Sequence, residues 1–300
     1  MNATLPVSIP QYLDQLRAAL AGADPALVQD ALYDAEEYLR AELGENPGKS
    51  EAEVIAAVAS SYGAPAEVAD IYRDTEAKVQ TALRPPAPRP RHSALGRFFG
   101  VFADPRAYAC LFYMLLASAT GVFYFVWVVT GLALSAGLSI TLIGIPLLVL
   151  FFGSVWVMSL VEGRLVEVML GERMPRRPPY ENRDRPLLQR IGSLFTDPRV
   201  WSTLFYFVLM LPLGLLYATL AAALVGSSLA LIVGPAIGLV SWPGYSLFVD
   251  GVDLGPANAW WILPLLALIG VLLLAATLHL VRGIGRLHGA MAKHLLVKAG

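Results

Sequence analysis

The chain has 300 residues, of which 15% are charged and 56% are hydrophobic, whereas soluble globular proteins carry roughly 25% charged residues. Uncharged runs of 55, 50 and 28 residues occupy positions 107–161, 200–249 and 254–281, and about 18 consecutive apolar residues already indicate a membrane-spanning helix. An ordinary soluble domain is therefore excluded. The composition indicates a multi-pass membrane protein with a soluble N-terminal part.

The charges are divided unevenly along the chain. Residues 1–80 hold 14 acidic and 5 basic side chains, a net charge of −9, while residues 81–300 hold 9 acidic and 17 basic ones, a net charge of +8. We expect no direct nucleic-acid binding, because such proteins concentrate Lys and Arg on their soluble face. The first ten residues contain neither a basic residue nor an apolar segment, so no signal peptide is expected.

Residues 1–80 contain four helix starts. Ser8 precedes a helix with an early proline, Asp24 precedes Pro25, Ser50 and Glu53 form a capping box, and Pro65 opens a fourth helix. Apolar residues three and four apart follow each start, which is the spacing of a buried helix face. The pattern predicts a helical domain over 1–80, without strands.

This segment resembles the HAAS domain, a helical signalling module of bacterial membrane proteins often linked with PadR-type transcription regulators. The matching stretches are Tyr12-Leu13-x-x-Leu16-x-x-x-Leu20, the acidic second helix, Ser50-Glu-Ala-Glu-Val-Ile-Ala-Ala-Val, and Tyr62-Gly63-Ala64-Pro65-x-Glu67. The resemblance implies a PadR-type regulator as a partner. Asp34, Glu37 and Glu42 on the second helix form either a solvated face or a docking surface for a basic partner.

Residues 81–106 form a linker rich in proline and arginine. Proline favours an extended, semi-rigid chain, and the arginines are expected against anionic headgroups, which makes membrane lipids a partner. The single cysteine, Cys110, follows in the first hydrophobic run, so an intrachain disulfide and a cysteine metal cluster are excluded. We expect it to be a small core or lipid-facing residue.

The clearest pattern in the membrane part is a repeat at a shift of 93 residues. Residues 102–124 and 195–217 are identical at ten positions, including Asp-Pro-Arg and Leu-Phe-Tyr in register. The pattern predicts a duplicated hairpin, with repeat one at 102–165, repeat two at 195–287 and a basic tail at 288–300.

The repeated motif predicts two helix starts at the membrane interface. Asp104 and Asp197 would cap the helices, and Arg106 and Arg199 would reach the headgroups, with the aromatic residues around them in an interfacial belt. A reciprocal ion pair between the two repeats is the alternative.

Four spans are predicted within a membrane domain of residues 107–287. They cover about 107–131, 136–161, 200–225 and 257–281. Basic flanks put both termini and 165–195 in the cytoplasm of a bacterial inner-membrane protein, with 132–136 and 241–256 outside. Residues 226–248 would form a re-entrant or interfacial excursion. Both repeats would then share one orientation about a pseudo-two-fold axis along the membrane normal.

The membrane part resembles the bacterial membrane sensor domain, a module that often precedes a histidine kinase core. The resemblance is carried by the repeated aromatic start, Leu142-Ile-Gly144-Ile-Pro146-Leu-Leu, Glu162-x-Arg164-Leu165 and Leu211-Pro-Leu-Gly214-Leu-Leu. About twenty residues follow Leu280, too few for a kinase core, so output through the head or a partner is expected.

Several residues are candidates for function. The segment expected outside the membrane combines aromatic residues with carboxylates and is the candidate for stimulus contact, through Trp242, Tyr245, Asp250 and Asp253. The alternative is a simple interfacial loop. His279 is the one ionisable residue expected inside a span, either packed or proton-responsive. Glu162 and Arg164 are expected to form an interfacial pair, and His288 and His294 are expected on the tail.

No nucleophile–base–acid constellation and no metal-ligand spacing is present in the sequence. We therefore expect an all-α, non-enzymatic signalling protein without cofactor or metal, which forms homo-oligomers or acts with another subunit. The alternative is a membrane subunit of a transporter, permease or scaffold complex, since internal repeats are common in carriers.

Overall fold

A computed structural model of the chain describes residues 6–83, 93–138, 144–177, 192, 196–240, 248–253 and 261–297. The elements in chain order are α1 (Ile9–Ala19), α2 (Pro25–Glu45), α3 (Glu51–Ser61), α4 (Pro65–Leu83), α5 (Ala94–Phe99), a 3-10 helix (Gly100–Ala103), α6 (Pro105–Leu138), α7 (Gly144–Leu170), α8 (Pro198–Val240), β1 (Phe248–Val249), β2 (Val252–Asp253) and α9 (Ile262–Leu296). The predicted all-α fold is confirmed, with one short hairpin added.

Helices α1 to α4 form the head, and their starts agree with the sequence prediction. Asp24 Oδ1 accepts from the Ala26 N–H at 2.9 Å, and Ser50 and Glu53 cap each other's backbone N–H groups. The apolar faces of the four helices then meet in one cluster, in which Leu16 and Leu20 have no exposed surface. The head therefore has its own hydrophobic core.

Helices α6 to α9 form the body. Each is long and apolar enough to cross a membrane, and they are the four such helices in the described part of the chain. All four are longer than predicted. Because no charge interrupts residues 200–249 and a helix satisfies its own backbone in lipid, α8 continues to Val240. The predicted excursion is therefore wrong over 226–240.

Three other predicted boundaries are wrong, because helices occupy segments that the sequence predicts as a turn, a linker or a tail. The turn expected at 132–136 belongs to α6, which continues to Leu138, and residues 139–143 lie outside the described ones. Residues 94–103 of the expected linker are helical, because Phe98 and Val101 pack against α9. The predicted tail from 288 continues α9 to Leu296.

The body consists of two antiparallel hairpins. In the first, α6 and α7 are joined by a hydrogen bond from Trp127 Nε1 to Ser154 Oγ at 2.9 Å. In the second, Ser202 Oγ near the start of α8 donates to the Leu295 carbonyl near the end of α9 at 2.8 Å, and Gly270 lies against Ile232.

The two hairpins cross where α6 packs on α8. A Cβ on Gly121 would overlap the Met210 carbonyl, and a Cβ on Gly214 would overlap the Ala117 carbonyl, so both positions require glycine. The two contacts are equivalent under the 93-residue shift. The rings of Tyr124 and Phe207 stack at 4.5 Å on the same interface. Residue numbers rise along α6 as they fall along α8, so the two helices are antiparallel.

The expectation that both repeats share one orientation is therefore wrong. Asp104 pairs with Arg282 at 3.0 Å, whereas Arg199 donates to the Leu296 carbonyl at 3.1 Å. These two points on α9 are 14 residues apart, or about 21 Å along a helix. The two copies of the 93-residue pattern in α6 and α8 therefore run in opposite directions.

Candidate functional site: a polar cluster and the head contact

The aspartates of the repeated motif cap helices as predicted. Asp104 Oδ1 accepts from the Arg106 N–H at 3.0 Å, and Asp197 Oδ1 accepts from the Arg199 N–H at 2.9 Å. The alternative of a reciprocal ion pair is wrong, because the antiparallel crossing separates the two motifs.

The aromatic residues of the motif divide into two groups. Phe112 and Phe205 are exposed on the apolar surface of the body, as an interfacial belt requires. Tyr113 and Tyr206, one position further on, are fully buried. The belt prediction is wrong for these two tyrosines, because each turns toward a buried acceptor between the hairpins.

That acceptor is Glu162 of α7, which has no exposed surface. Its Oε1 accepts hydrogen bonds from the Tyr113 hydroxyl at 2.6 Å and from the Tyr206 hydroxyl at 2.9 Å. Its Oε2 accepts from the Tyr124 hydroxyl at 2.9 Å. The expected Glu162–Arg164 pair is wrong, since Arg164 points away from the bundle and pairs with Glu167.

His288 of α9 completes the arrangement. Its Nε2 lies 2.7 Å from the Tyr113 hydroxyl and 3.1 Å from the Tyr206 hydroxyl, and its Nδ1 lies 3.3 Å from the Tyr217 hydroxyl. The prediction of a separate tail at His288 is wrong, because α9 continues past this residue and packs it inside the body. We call these residues the polar cluster: Glu162, His288, Tyr113, Tyr124, Tyr206 and Tyr217.

The polar cluster follows the repeat. Tyr113 is equivalent to Tyr206, and Tyr124 to Tyr217, under the 93-residue shift. Tyr113 and Tyr206 each contact both the Glu162 carboxylate and the His288 imidazole. Tyr124 binds the carboxylate only, and Tyr217 contacts the imidazole only. Buried polar groups of this kind need full hydrogen bonding, so the cluster fixes how the hairpins fit together.

His279 and Cys110 lie at packing positions on the body. His279 Nε2 lies 3.0 Å from the Phe98 carbonyl, and its ring stacks on the Phe98 ring, as expected for a packed histidine. Cys110 is buried against Gly285 of α9, as expected for a small core residue. His294 is exposed near the end of α9.

The candidate stimulus segment is only partly described. Val249 pairs with Val252 across a two-residue turn, in which Asp250 and Gly251 have φ of 50° and 79°. Positive φ at both positions is typical of the hairpin turn that Asp-Gly favours, so Asp250-Gly251 is a local sequence signal for this turn. Asp250 is exposed at the tip, and the backbone of Asp253 pairs with that of Phe248. Trp242 and Tyr245 lie outside the described residues.

A second polar site joins the head to the body through Asp30 of α2. Asp30 Oδ1 accepts from the backbone N–H groups of Arg176 at 2.6 Å and Arg177 at 2.8 Å, and its Oδ2 accepts from Arg173 Nη2 at 3.0 Å. Only 5% of Asp30 is exposed. The segment after α7 is therefore held by one carboxylate of the head.

Electrostatics at this site favour a charged Arg173. Burial raises the pKa of the Asp30 carboxyl, although the Arg176 N–H and the Arg173 guanidinium act against that rise. Burial also opposes the charge of Arg173, but the carboxylates of Asp30, Glu76 and Glu167 outweigh it and raise the pKa of Arg173. The guanidinium thus stays protonated and bridges the head to α7.

Three further pairs extend the contact. Asp34 binds Arg177 at 2.9 Å, Lys293 Nζ binds Asp24 Oδ2 at 2.6 Å, and Gln29 Nε2 donates to the Arg177 carbonyl at 2.5 Å. Asp34 is therefore engaged within the chain, whereas both alternatives from the sequence, a solvated face and a docking surface, leave it free. Glu37 is exposed and Glu42 half-buried on the remaining surface of α2. We call these residues the head contact: Asp24, Gln29, Asp30, Asp34, Glu76, Arg173, Arg176, Arg177 and Lys293.

Comparisons with protein families assign both parts of the chain. The HAAS family model matches residues 11–71, and a family model described as "Putative sensor" matches residues 113–296, which is more than half of the chain. The chain belongs to this sensor family. Comparisons with curated proteins and with solved structures found no match.

The sensor match includes every residue of the polar cluster, and the HAAS match includes the aspartates of the head contact. The head contact thus joins the HAAS domain to the sensor domain. In the described part of the chain, no group of three or more His, Cys, Asp and Glu side chains is placed to hold a metal ion. The two family domains, together with four apolar helices, indicate a membrane protein with a role in sensing and signalling.

Proposed function

We propose that this chain is a non-enzymatic signalling protein of the bacterial cytoplasmic membrane, in which the sensor domain controls whether the HAAS head is held or released. The observation that carries this proposal is the capture of the Arg176 and Arg177 backbone N–H groups by Asp30. Such charge-assisted bonds are about twice as strong as neutral ones. Because only a few such hydrogen bonds hold the head, a small movement of the segment after α7 is enough to break them.

The proposed output is the binding of a cytoplasmic transcription regulator of the PadR type by the released head. The HAAS match supports this partner class. Release would uncover Asp30 and Asp34 and add them to the exposed Glu37, giving one acidic face on α2. Such a face attracts a basic partner and speeds its encounter at low salt.

The proposed orientation puts the head, residues 172–177 and the start of α6 in the cytoplasm. The arginines at 173, 176 and 177 support it through the positive-inside bias. Because α8 is antiparallel to α6, the end of α8 and the candidate stimulus residues Trp242, Tyr245, Asp250 and Asp253 would lie on this side as well, and not outside as the charge pattern predicts. An impermeant maleimide should then label neither Asp250→Cys nor Arg176→Cys in intact cells but both in permeabilised cells, and labelling of Asp250→Cys in intact cells would reject this orientation.

Amide hydrogen exchange of the full chain in lipid nanodiscs tests the holding step directly. Asp30→Asn keeps the shape but removes the charge that holds the two N–H groups, so exchange at Arg176 and Arg177 should rise at least ten-fold. Asp70→Asn is the matched control, because Asp70 is an exposed aspartate of the head that pairs only with Arg73 among the described contacts.

Capture of a purified PadR-type regulator should increase with Asp30→Asn and stay at the wild-type level with Asp70→Asn. If Asp30→Asn leaves both exchange and capture unchanged, the head is not controlled through this contact. If exchange rises but capture does not, release is real and the PadR-type output is wrong.

A transport subunit is the second candidate, and two observations favour it. Antiparallel repeats that meet at a buried ionisable site are typical of secondary transporters, and the body buries Glu162 and His288 at the repeat crossing. From the sequence alone, His279 is the one ionisable residue expected inside a span, which argues against transport. Proton flux in proteoliposomes distinguishes the candidates, since a signalling protein should not carry a steady flux.

A further inference from the structure

We propose that Glu162 and His288 together bind one exchangeable proton inside the body, with Tyr113 and Tyr206 as the bridge between them. This deepens the proposed function by naming the proton as the chemical input. The proton site rests on the geometry of the polar cluster alone, and only its coupling to the head rests on the proposed function.

The geometry provides a continuous hydrogen-bonded chain. Glu162 Oε1 lies 2.6 Å from the Tyr113 hydroxyl, which lies 2.7 Å from His288 Nε2. Tyr206 forms a parallel chain through distances of 2.9 and 3.1 Å. Because a tyrosine hydroxyl both donates and accepts, one proton can be held at either end.

The transfer balances in atoms and charge. In one state Glu162 is a carboxylate and His288 an imidazolium. When the Nε2–H bond breaks, its proton binds the Tyr113 oxygen, and the hydroxyl proton of Tyr113 moves to Glu162 Oε1. The product is a neutral carboxylic acid beside a neutral imidazole. No oxidant, reductant or further reactant is involved.

The negative charge of the Glu162 carboxylate is the reason that the pair needs a bound proton. A carboxylate beside a neutral imidazole would leave one uncompensated negative charge between apolar helices, which is costly. One added proton makes the pair neutral in both states above. The hydrogen-bond partners of the pair among the described residues are four tyrosines, Tyr113 and Tyr124 from α6 and Tyr206 and Tyr217 from α8. Two other titratable groups pack on α9 beside His288, with Glu172 against Gly289 and Cys110 against Gly285.

Tyr217 provides the route for exchange. Its hydroxyl lies 3.3 Å from His288 Nδ1. The Tyr217 side chain is half-buried, whereas those of Tyr113 and Tyr206 are fully buried. In both states above the Tyr217 oxygen accepts from Nδ1–H, because the transfer breaks the Nε2–H bond. After the Nδ1 proton has left through Tyr217, the Tyr217 hydroxyl donates to Nδ1 instead. A proton can therefore enter or leave without a partner being lost.

The two proton-binding residues lie on the helices whose ends hold the head. Glu162 is on α7, which ends at Leu170 just before Arg173, and His288 is five residues before Lys293 on α9. Loss of the proton would leave a net charge between these helices and weaken their packing. The expected consequence is a looser head contact.

Infrared difference spectra of the full chain in nanodiscs, recorded across a pH series, test the site. In the wild type we expect the carboxyl and imidazole bands to change together over one pH interval. Glu162→Gln should remove the carboxyl band and shift the imidazole transition. The double change of Tyr113→Phe with Tyr206→Phe should separate the two transitions. His279→Asn is the matched control and should leave them coupled.

Two outcomes overturn the proton site. One is a pair of bands that do not change over the whole pH range in which the chain stays folded. The other is a Glu162→Gln spectrum identical to that of the wild type. His288→Gln gives an independent test if Glu162→Gln fails to fold, because it should remove the imidazole band and shift the carboxyl transition.

Hydrogen exchange at Arg176 and Arg177 in the same samples separates the site from its coupling. Faster amide exchange at pH values above the infrared transition, where the site has lost its proton, supports both the proton site and its coupling to the head. A coupled spectral transition with constant exchange keeps the proton site and rejects the coupling to the head. A steady proton flux that Glu162→Gln abolishes would support the site and favour the transport candidate over the signalling one.

Discussion

The head and the body differ in the polar groups that lie beside their apolar cores. In the head, the core is aliphatic and aromatic, with Leu16 and Leu20 fully buried and the helix ends closed by local caps such as Ser50. In the body, the centre holds a carboxylate, an imidazole and four tyrosine hydroxyls, while large apolar residues such as Phe112 and Phe205 face outward.

The difference follows from the surroundings of each region. In water, burying apolar surface stabilises a fold by roughly 25 cal/mol per Å², so the head needs little else. Between helices in lipid that gain is absent, because lipid tails are as apolar as leucine. The body instead uses close backbone approach at Gly121 and Gly214 and a set of buried hydrogen bonds.

A substitution in the core of the head gives the strongest test of this difference between head and body. Leu16→Ala deletes a side chain with no exposed surface, so the free energy of unfolding of the head should fall by about 2–5 kcal/mol. The body should keep its stability, because Leu16 belongs to the head cluster alone. Urea titration of the full chain in nanodiscs, followed by hydrogen exchange in each region, measures both effects.

Ile71→Ala is the control for this change, since Ile71 is 57% exposed and its loss should have little effect. If Leu16→Ala lowers the stability of head and body together, the two regions unfold as one unit and the distinction between their cores does not hold.

A substitution at the α6–α8 crossing tests the body, with a smaller expected effect on stability. Gly121→Ala puts a methyl group where the Met210 carbonyl lies, so α6 and α8 must move apart. We expect a loss of about 1–3 kcal/mol, typical of an overfilled contact. Thermal unfolding in nanodiscs measures it.

Gly153→Ala is the matched control, because a Cβ at this helical position of the body meets nothing within 4 Å. It should leave the body unchanged or stabilise it by up to about 1 kcal/mol. Equal effects of the two substitutions would show that the crossing does not depend on close approach.

The sequence predicted the head well because its signals are local. Ser8, Asp24 and Ser50 each lie within three residues of the backbone group that they cap, so their pattern could be read without knowing the fold. The four long apolar helices were predicted for the same reason, since an uncharged run is a local property.

The polar cluster and the head contact could not be predicted in this way. Tyr113 and His288 are 175 residues apart, and a tyrosine near a membrane interface fits a belt as well as a buried hydrogen bond. The repeat held the usable signal, because Tyr113 and Tyr206 recur in register. The orientation predicted from charge counts implies that α6 and α8 run parallel. The antiparallel crossing depends on the contacts of Gly121 and Gly214, which charge counts do not describe.

The reciprocal glycine contacts have a consequence for assembly. Gly121 meets the carbonyl at position 210, and Gly214 meets the one at position 117. Position 210 is position 117 shifted by 93 residues. A surface that contacts its own equivalent in this way is isologous, as in a two-fold dimer. The α6–α8 crossing thus has the geometry of a homodimer interface contained in one polypeptide. A single such helix would be complementary to an antiparallel copy of itself.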